Sequence, residues 1–187
     1  PWCYVGLERV EKLSQEYEIA VEGRAYLLRP DTPKEGRVRE RRPGETDDEL
    51  SEPLRTNAKE SGLVMRPLSR TPNTMWALEA TEYAQQHGKF LEFHQEAYKA
   101  LWSDKKDLGD PDVLSRIADG VGLDSEDLRS SLEQETYTST VMEQYQEALN
   151  HGIRGIPTFL VGNLLFTGAH PYDVFKEAMK RVMEPAA

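Results

Sequence analysis

The chain has 187 residues, a net charge of -10, and 30% charged residues against 38% hydrophobic ones. That length suits one domain, or one domain with a large insertion, and the acidic balance excludes a nucleic-acid surface, which needs clustered basic groups. No apolar run approaches the ~20 residues that span a bilayer, so a soluble protein is expected. One cysteine excludes an internal disulfide or multi-cysteine metal site, and the 4 histidines show no ligand spacing.

In chain order, Leu7, Val10, Leu13 and Tyr17 recur at spacings of three and four after Cys3, which predicts an opening helix. Ile19, Val21 and then Tyr26 to Leu28 predict a strand within residues 18–29, interrupted at Gly23 and stopped by Pro30 and Pro33. Residues 30–50 read as a long loop. Its basic run, 37–42, and acidic run, 45–49, read as a solvated pair rather than a binding patch.

Residues 51–151 read as almost wholly helical. Thr71-Pro72 and Asp110-Pro111 are predicted caps ahead of a first-turn proline, and Asp124 with Asp127 resembles a capping box. Trp76, Ala80, Tyr83 and Ala84 form one apolar set; Phe90, Phe93, Ala97 and Leu101 form another. Val113, Leu114, Ile117, Ala118 and Val121 form a third, and the helix through Val141, Tyr145, Ala148 and Leu149 is expected to stop at Gly152. Residues 157–161 and 164–167 then predict a hairpin about Gly162-Asn163. A last helix after Pro171 carries Val174, Phe175, Ala178, Met179 and Val182 on one stripe.

This order fits an α/β fold with an all-helical insertion better than two separate domains. The expected division is 1–50 for the first part of the α/β fold, 51–151 for the insertion and 152–187 for the closing hairpin and helix. A βαβ unit needs a strand before its helix. Here that first strand is missing and is expected upstream of Pro1, where a leader could also stand.

Two segments carry chemistry. Pro1, Trp2 and Cys3 open a helix, whose free N–H groups and partial positive charge favour thiolate over thiol. Read alone, Cys3 better suits a buried, inert cysteine packed beneath a helix start. Ile156-Pro157 enters the hairpin, and a proline there needs an edge, a start position or a special bond geometry; base rates favour a trans bond. Trp2 is a candidate for shaping the thiol's surroundings, though an aromatic at a helix start is more often packing. His94 shares the apolar face of Phe90, Phe93 and Ala97 and reads as a core histidine, with nothing in the sequence placing it near Cys3. His170 reads as a cap or a surface residue.

Taken together, Pro1-Trp2-Cys3-Tyr4-Val5-Gly6 and Gly152-Ile153-Arg154-Gly155-Ile156-Pro157-Thr158-Phe159 resemble the DsbA-like thioredoxin-fold oxidoreductases. The nearest likeness is to the FrnE-type branch, related to the 2-hydroxychromene-2-carboxylate isomerases. Arg29-Pro30-Asp31 to Gly36, and Phe166-Thr167-Gly168-Ala169 to Phe175, extend the resemblance over nearly the whole chain. It implies a thioredoxin fold with a helical insertion and a Cys-Pro-Trp-Cys site. Cys3 is then the resolving thiol, its partner stands immediately before Pro1, and Pro157 is a cis-proline facing the site beside a peptide-holding Ile156 backbone. It implies no cofactor, thiol or disulfide substrates that are proteins or small molecules, no nucleic-acid or membrane partner, room for a homodimer, and a cytoplasmic location.

Three functional readings follow. The first is thiol–disulfide exchange. The second is a glutathione-dependent isomerase or transferase of small aromatic compounds, whose relatives carry serine at the leading position. The third is a redox-inactive module that binds extended peptides beside Pro157.

Overall fold

Two apolar clusters meet on the opening helix, α1 (Trp2–Glu16), in a computed structural model that describes residues 1–183. Tyr4 and Val5 belong to the larger cluster, built mostly from the helical block, and Leu13 to the smaller one beneath the closing hairpin. α1 is therefore buried on more than one side, which explains why Gly6 and Arg9 are buried along with Leu7. Arg9 is kept there by Ser61, whose Oγ accepts from its Nη1 at 2.8 Å.

After α1 come β1 (Arg37–Val38), α2 (Leu54–Glu60), β2 (Arg70–Thr71), α3 (Met75–Gln86) and α4 (Phe90–Trp102). They are followed by α5 (Pro111–Gly120), α6 (Ser125–Glu133), α7 (Thr138–Asn150), β3 (Thr158–Val161), β4 (Leu164–Thr167) and α8 (Tyr172–Met183). Both sheets among the described residues are antiparallel pairs, β1 with β2 and β3 with β4.

Residues 18–29 depart from expectation in an informative way. Ile19, Val21, Gly23, Ala25 and Leu27 turn inward while Glu18, Ala20, Glu22, Arg24 and Leu28 are exposed, the period of two that predicted a strand. Yet the segment joins no strand ladder among the described residues. Side-chain amides replace the ladder. The Gly23 N–H donates to Gln85 Oε1 at 2.7 Å, Gln85 Nε2 donates back to the Gly23 carbonyl at 3.2 Å, and the Ala25 N–H donates to Gln144 Oε1 at 2.6 Å. Gly23 does not interrupt the segment. A Cβ there would stand 2.1 Å from Phe90 Cε2, so the backbone approaches the ring as only glycine allows.

Two further expectations are corrected. The 30–50 loop contains β1, and Thr71 is paired with Arg37 in the ladder, so Thr71-Pro72 ends a strand and does not cap a helix. α3 starts later, where Asn73 Oδ1 accepts from the Met75 N–H at 2.9 Å. Asp110 and Asp124 do cap their helices, accepting from the N–H groups of Asp112 and of Glu126 and Asp127 respectively; such caps contribute about 1 kcal/mol each. Asp127, however, turns to accept the Tyr83 hydroxyl at 2.9 Å and ties α6 to α3 instead of completing a box.

α7 ends as expected. Gly152, at φ 76°, lets its own N–H reach the Leu149 carbonyl at 3.0 Å and the Ile153 N–H reach Ala148 at 2.9 Å. The hairpin turns where predicted, with Val161 opposite Leu164 and Gly162 at φ 59° turning the chain. In α8 only Phe175, Ala178 and Met179 are buried. Val174 is exposed, and Val182, also largely exposed, leans on the hairpin turn at Gly162 rather than on the core.

α3 carries a cost of its own. Glu79 is 0% exposed and neither carboxyl oxygen makes a well-formed hydrogen bond, although it faces Thr138 and the Tyr137 N–H at the start of α7. Burial raises its protonation point above the usual carboxylate range. A raised acid binds its proton more tightly in the folded state, so its contribution is fully present below the ordinary carboxyl value and is lost as pH rises. Glu79→Gln is therefore expected to stabilise the fold at pH 7 by roughly 1 kcal/mol or more, with the gain vanishing near pH 4. Thermal melts at the two pH values check this; equal gains at both would contradict it.

Candidate active site

Cys3 lies in the first turn of α1, half-buried, with Pro1 as the residue that starts the helix. The Pro1 carbonyl accepts from the N–H groups of Tyr4 at 3.0 Å and Val5 at 3.3 Å. The Cys3 N–H lies ahead of these bonds and is left facing its own sulphur. Burial pushes the Cys3 thiol up, while hydrogen bonding to Tyr98 and to its own N–H works in the opposite direction. Trp2 packs against the larger apolar cluster, so its ring forms part of the floor on which the first turn rests.

The second segment arrives on the next turn of the same helix. The Ile156–Pro157 peptide bond is cis, and Pro157 is buried. A Cβ placed on Gly6 would lie 2.8 Å from Phe159 Cζ and 3.2 Å from Pro157 Cγ. Gly6 is thus the surface on which the proline ring and the start of β3 sit, one turn along from Cys3. The hairpin is held there from below: Phe159 packs edge-on against Phe175 at 4.8 Å between ring centres, and Phe166 does the same at 5.1 Å. The Gly168 N–H donates to the Pro157 carbonyl at 2.8 Å and closes the far end of β4 over the proline. A second cis bond, Glu52–Pro53, opens α2 and had no signal in the sequence.

The places of two α4 residues, Tyr98 and His94, were not legible from the sequence. Tyr98, on α4, packs its ring 5.4 Å from that of Tyr4, the residue next to Cys3. His94, one turn earlier, meets Tyr98 edge-on at 4.6 Å. It is the core histidine that the apolar pattern indicated, stacked on Phe90 at 5.2 Å. Burial lowers it to about 4, so it is neutral under ordinary conditions. The loop 37–42 is exposed as expected except at Arg39, and Arg41 pairs with Asp47 of the acidic run. Arg39 also donates to Glu45 at 2.6 Å, holding that carboxyl below its usual range. Periodicity could show that Tyr98 and His94 belong to α4; which helix they face is set by the packing of α4 against α1.

Among the described residues no three His, Cys, Asp or Glu side chains converge as a metal site. None of the helices described is long and apolar enough to cross a membrane. His170 is exposed, its Nε2 lying 2.9 Å from the Thr167 carbonyl, away from Cys3's helix turn.

Cys3 thus stands in the first turn of α1, and the cis-proline packs on Gly6 one turn along the same helix. The DSBA-like thioredoxin domain model matches residues 1–180. The chain belongs to this family. This DsbA-like protein is 27% identical to the uncharacterised protein YwbO of Bacillus subtilis, over 96% of this chain and 90% of that one. Its fold is similar to that of a probable DsbA oxidoreductase from Streptomyces coelicolor, with a TM-score of 0.83 and 24% identity over 100% of this chain and 87% of the other. It is also similar to a 2-hydroxychromene-2-carboxylate isomerase, with a TM-score of 0.74 and 15% identity over 97% of this chain and 90% of the other. These likenesses are of fold: the thioredoxin-like α/β architecture of the DsbA group, rich in helix and with small sheets.

Proposed function

We propose that this DsbA-like protein exchanges thiols and disulfides at the amino end of α1, with Cys3 as the resolving thiol and a cysteine directly before Pro1 as its partner. The leading thiolate attacks one sulphur of a substrate disulfide and the other leaves as a thiolate. Cys3, deprotonated, then attacks the leading sulphur in the mixed disulfide. The Cys3 disulfide forms, the substrate departs as its second thiolate, and two electrons have passed to the substrate. Run in reverse, the same steps oxidise a dithiol. An external thiol or disulfide pool resets the pair, and no metal or organic cofactor enters the cycle.

The observation that carries this reading is the packing of Gly6 on Pro157, which brings two segments some 150 residues apart to one helix turn beside Cys3. Half-exposure of Cys3 suits a resolving thiol, which needs to reach only its neighbour. In this reading Ile156, half-buried beside Pro157, offers its backbone to an extended substrate segment, as Pro1 and Trp2 shape the mouth. The substrates proposed are protein or small-molecule disulfides.

The test is reduction of insulin disulfides by dithiothreitol, using the protein with cysteine directly preceding Pro1. Catalysis above the dithiothreitol background is expected, with Cys3→Ala falling to that background and accumulating mixed disulfide. No acceleration by the intact pair would overturn the reading. Isomerisation of 2-hydroxychromene-2-carboxylate in its place would shift the function to that of the structural neighbour.

A further inference from the structure

Beyond the exchange reading and independently of it, we propose that the groove between α4 and α5 binds a small aliphatic monocarboxylate, whose charge is met by Lys106 and Arg116. The groove encloses about 590 Å³, within the range of sites that take small molecules. Its walls are one face of each helix. On α5, Val113, Arg116, Ile117, Gly120 and Val121 fall at i, i+3, i+4, i+7 and i+8. On α4, Glu92, Glu96 and Ala100 follow one another a turn apart. The floor is aliphatic: Ala100, Val113 and Ile117 are buried members of the larger apolar cluster, and Val121 packs against it. Gly120 keeps the groove open, since nothing stands within 4 Å of a Cβ built there. The helix does not need that glycine in order to end. Gly122, at φ 80°, ends it, with its N–H on the Asp119 carbonyl at 3.1 Å and the Leu123 N–H on the Ala118 carbonyl at 2.9 Å.

Charge complementarity names the occupant. Around the rim, Glu92 pairs with Lys89 at 3.2 Å and Glu96 with Lys99 at 3.2 Å. Lys106, Arg116 and Asp104 also line the groove, and among the described residues none of the three joins an ion pair. Two cations against one acid leave a single positive charge to be met, and a monoanion meets it. A phosphate ester would bring further negative charge against Asp104, Glu92 and Glu96, and a neutral molecule would leave both cations unpartnered. Arg116 offers a planar fork that suits the two oxygens of a carboxylate, and Lys106 a point charge. Lys106 is set at the end of α4 by Lys105, whose φ of 56° is uncommon for a residue with a Cβ. The chain folds back there until the Lys106 N–H reaches the Ala100 carbonyl at 2.8 Å. The groove is separate from the thiol. Gln95 on its wall donates to Glu11 of α1 at 3.2 Å, about 12 Å of helix axis beyond Cys3.

The experiment is calorimetric titration of the full chain with octanoate, with octanol as the same body without charge and inorganic phosphate as charge without the body. Saturable binding of octanoate is expected, with octanol weaker by roughly ten-fold or more and phosphate giving no measurable heat. Arg116→Gln and Lys106→Gln are each expected to weaken octanoate by roughly three- to ten-fold, and Asp104→Asn to tighten it. Gly120→Leu puts a side chain into the open groove. It is expected to abolish binding while the thermal midpoint holds or rises, because leucine is the better helix residue and its Cβ meets no neighbour. No saturable binding of octanoate, equal affinity for octanol, or unchanged binding in Gly120→Leu overturns the proposal. Cys3→Ala is expected to bind octanoate as the parent does, so the result stands or falls separately from any result on insulin.

Discussion

Gly6→Val is expected to lower the thermal midpoint by roughly 5–10 °C and to depress exchange activity more than its loss of stability accounts for. Even the first added carbon would stand 2.8 Å from Phe159 Cζ and 3.2 Å from Pro157 Cγ, inside ordinary contact distance. Neither neighbour can simply yield. Phe159 is wedged between Phe166, at 5.5 Å, and Phe175, at 4.8 Å, while Pro157 is buried and its carbonyl is bonded to Gly168. The strain must therefore separate α1 from the hairpin, which moves Pro157 away from Cys3. A shift of about 1 Å between reacting groups can cost up to ~100-fold in rate. Gly6→Ala provides the graded comparison. Its gain in helix propensity of about 1 kcal/mol offsets part of a smaller clash, so it is expected to fall between wild type and Gly6→Val. Paired melts and insulin reduction assays check the order; a Gly6→Val protein as stable and active as the parent would show that the hairpin is not seated on α1.

Phe175→Ala is expected to destabilise the protein by about 3–5 kcal/mol, a drop of roughly 10 °C or more in thermal midpoint for a chain of this size. Phe175 is 1% exposed and belongs, with Leu13 and Met179, to the smaller apolar cluster that joins α1, the hairpin and α8. Its ring meets both Phe159 and Phe166 edge-on, so truncation removes two aromatic pairs together and leaves a cavity beneath the hairpin. The larger cluster does not depend on it. Hydrogen exchange should therefore show β3 and β4 opening first, with α3 to α7 protected as in the parent. Uniform loss of protection over the whole chain would mean that the two clusters unfold as one unit.

The parts of this protein that could be read from its residues are those governed by local chemistry. Helices announced themselves through apolar spacing and through caps such as Asp110 and Asp124, and the hairpin through a Gly-Asn pair between two short β-rich runs. Gly152 stopped α7 because a left-handed residue frees the last carbonyls to accept, a demand the chain states locally. The two halves of the candidate site were also visible, as Pro1-Trp2-Cys3 at a helix start and Ile156-Pro157 at a strand start.

Other features failed for physical reasons that lie outside any local window. The period of two in residues 18–29 correctly told which side chains turn inward, but a ladder needs a neighbouring strand. Without one among the described residues, the amides of Gln85 and Gln144 take its place, from helices some 60 and 120 positions away. Thr71-Pro72 has the composition of a helix cap and is instead the end of a strand, because pairing with Arg37 claims its backbone first. Tyr98 and His94 carried an α-helical pattern and nothing more. Their place against α1 comes from the way α4 crosses it, and the hydrogen bond between His94 and Thr81 ties that ring to α3.

By itself, then, the sequence determined which segments are helical, where the hairpin turns, which thiol is present, and which family the chain resembles, since these depend on neighbours a few residues apart. The tertiary structure alone decided that Gly6 seats Pro157 one turn along from that thiol, that the 18–29 segment is satisfied by glutamines, and that a tyrosine from the helical block packs on Tyr4. Each of those depends on distances between segments far apart in the chain, which are set by how the two apolar clusters close on α1.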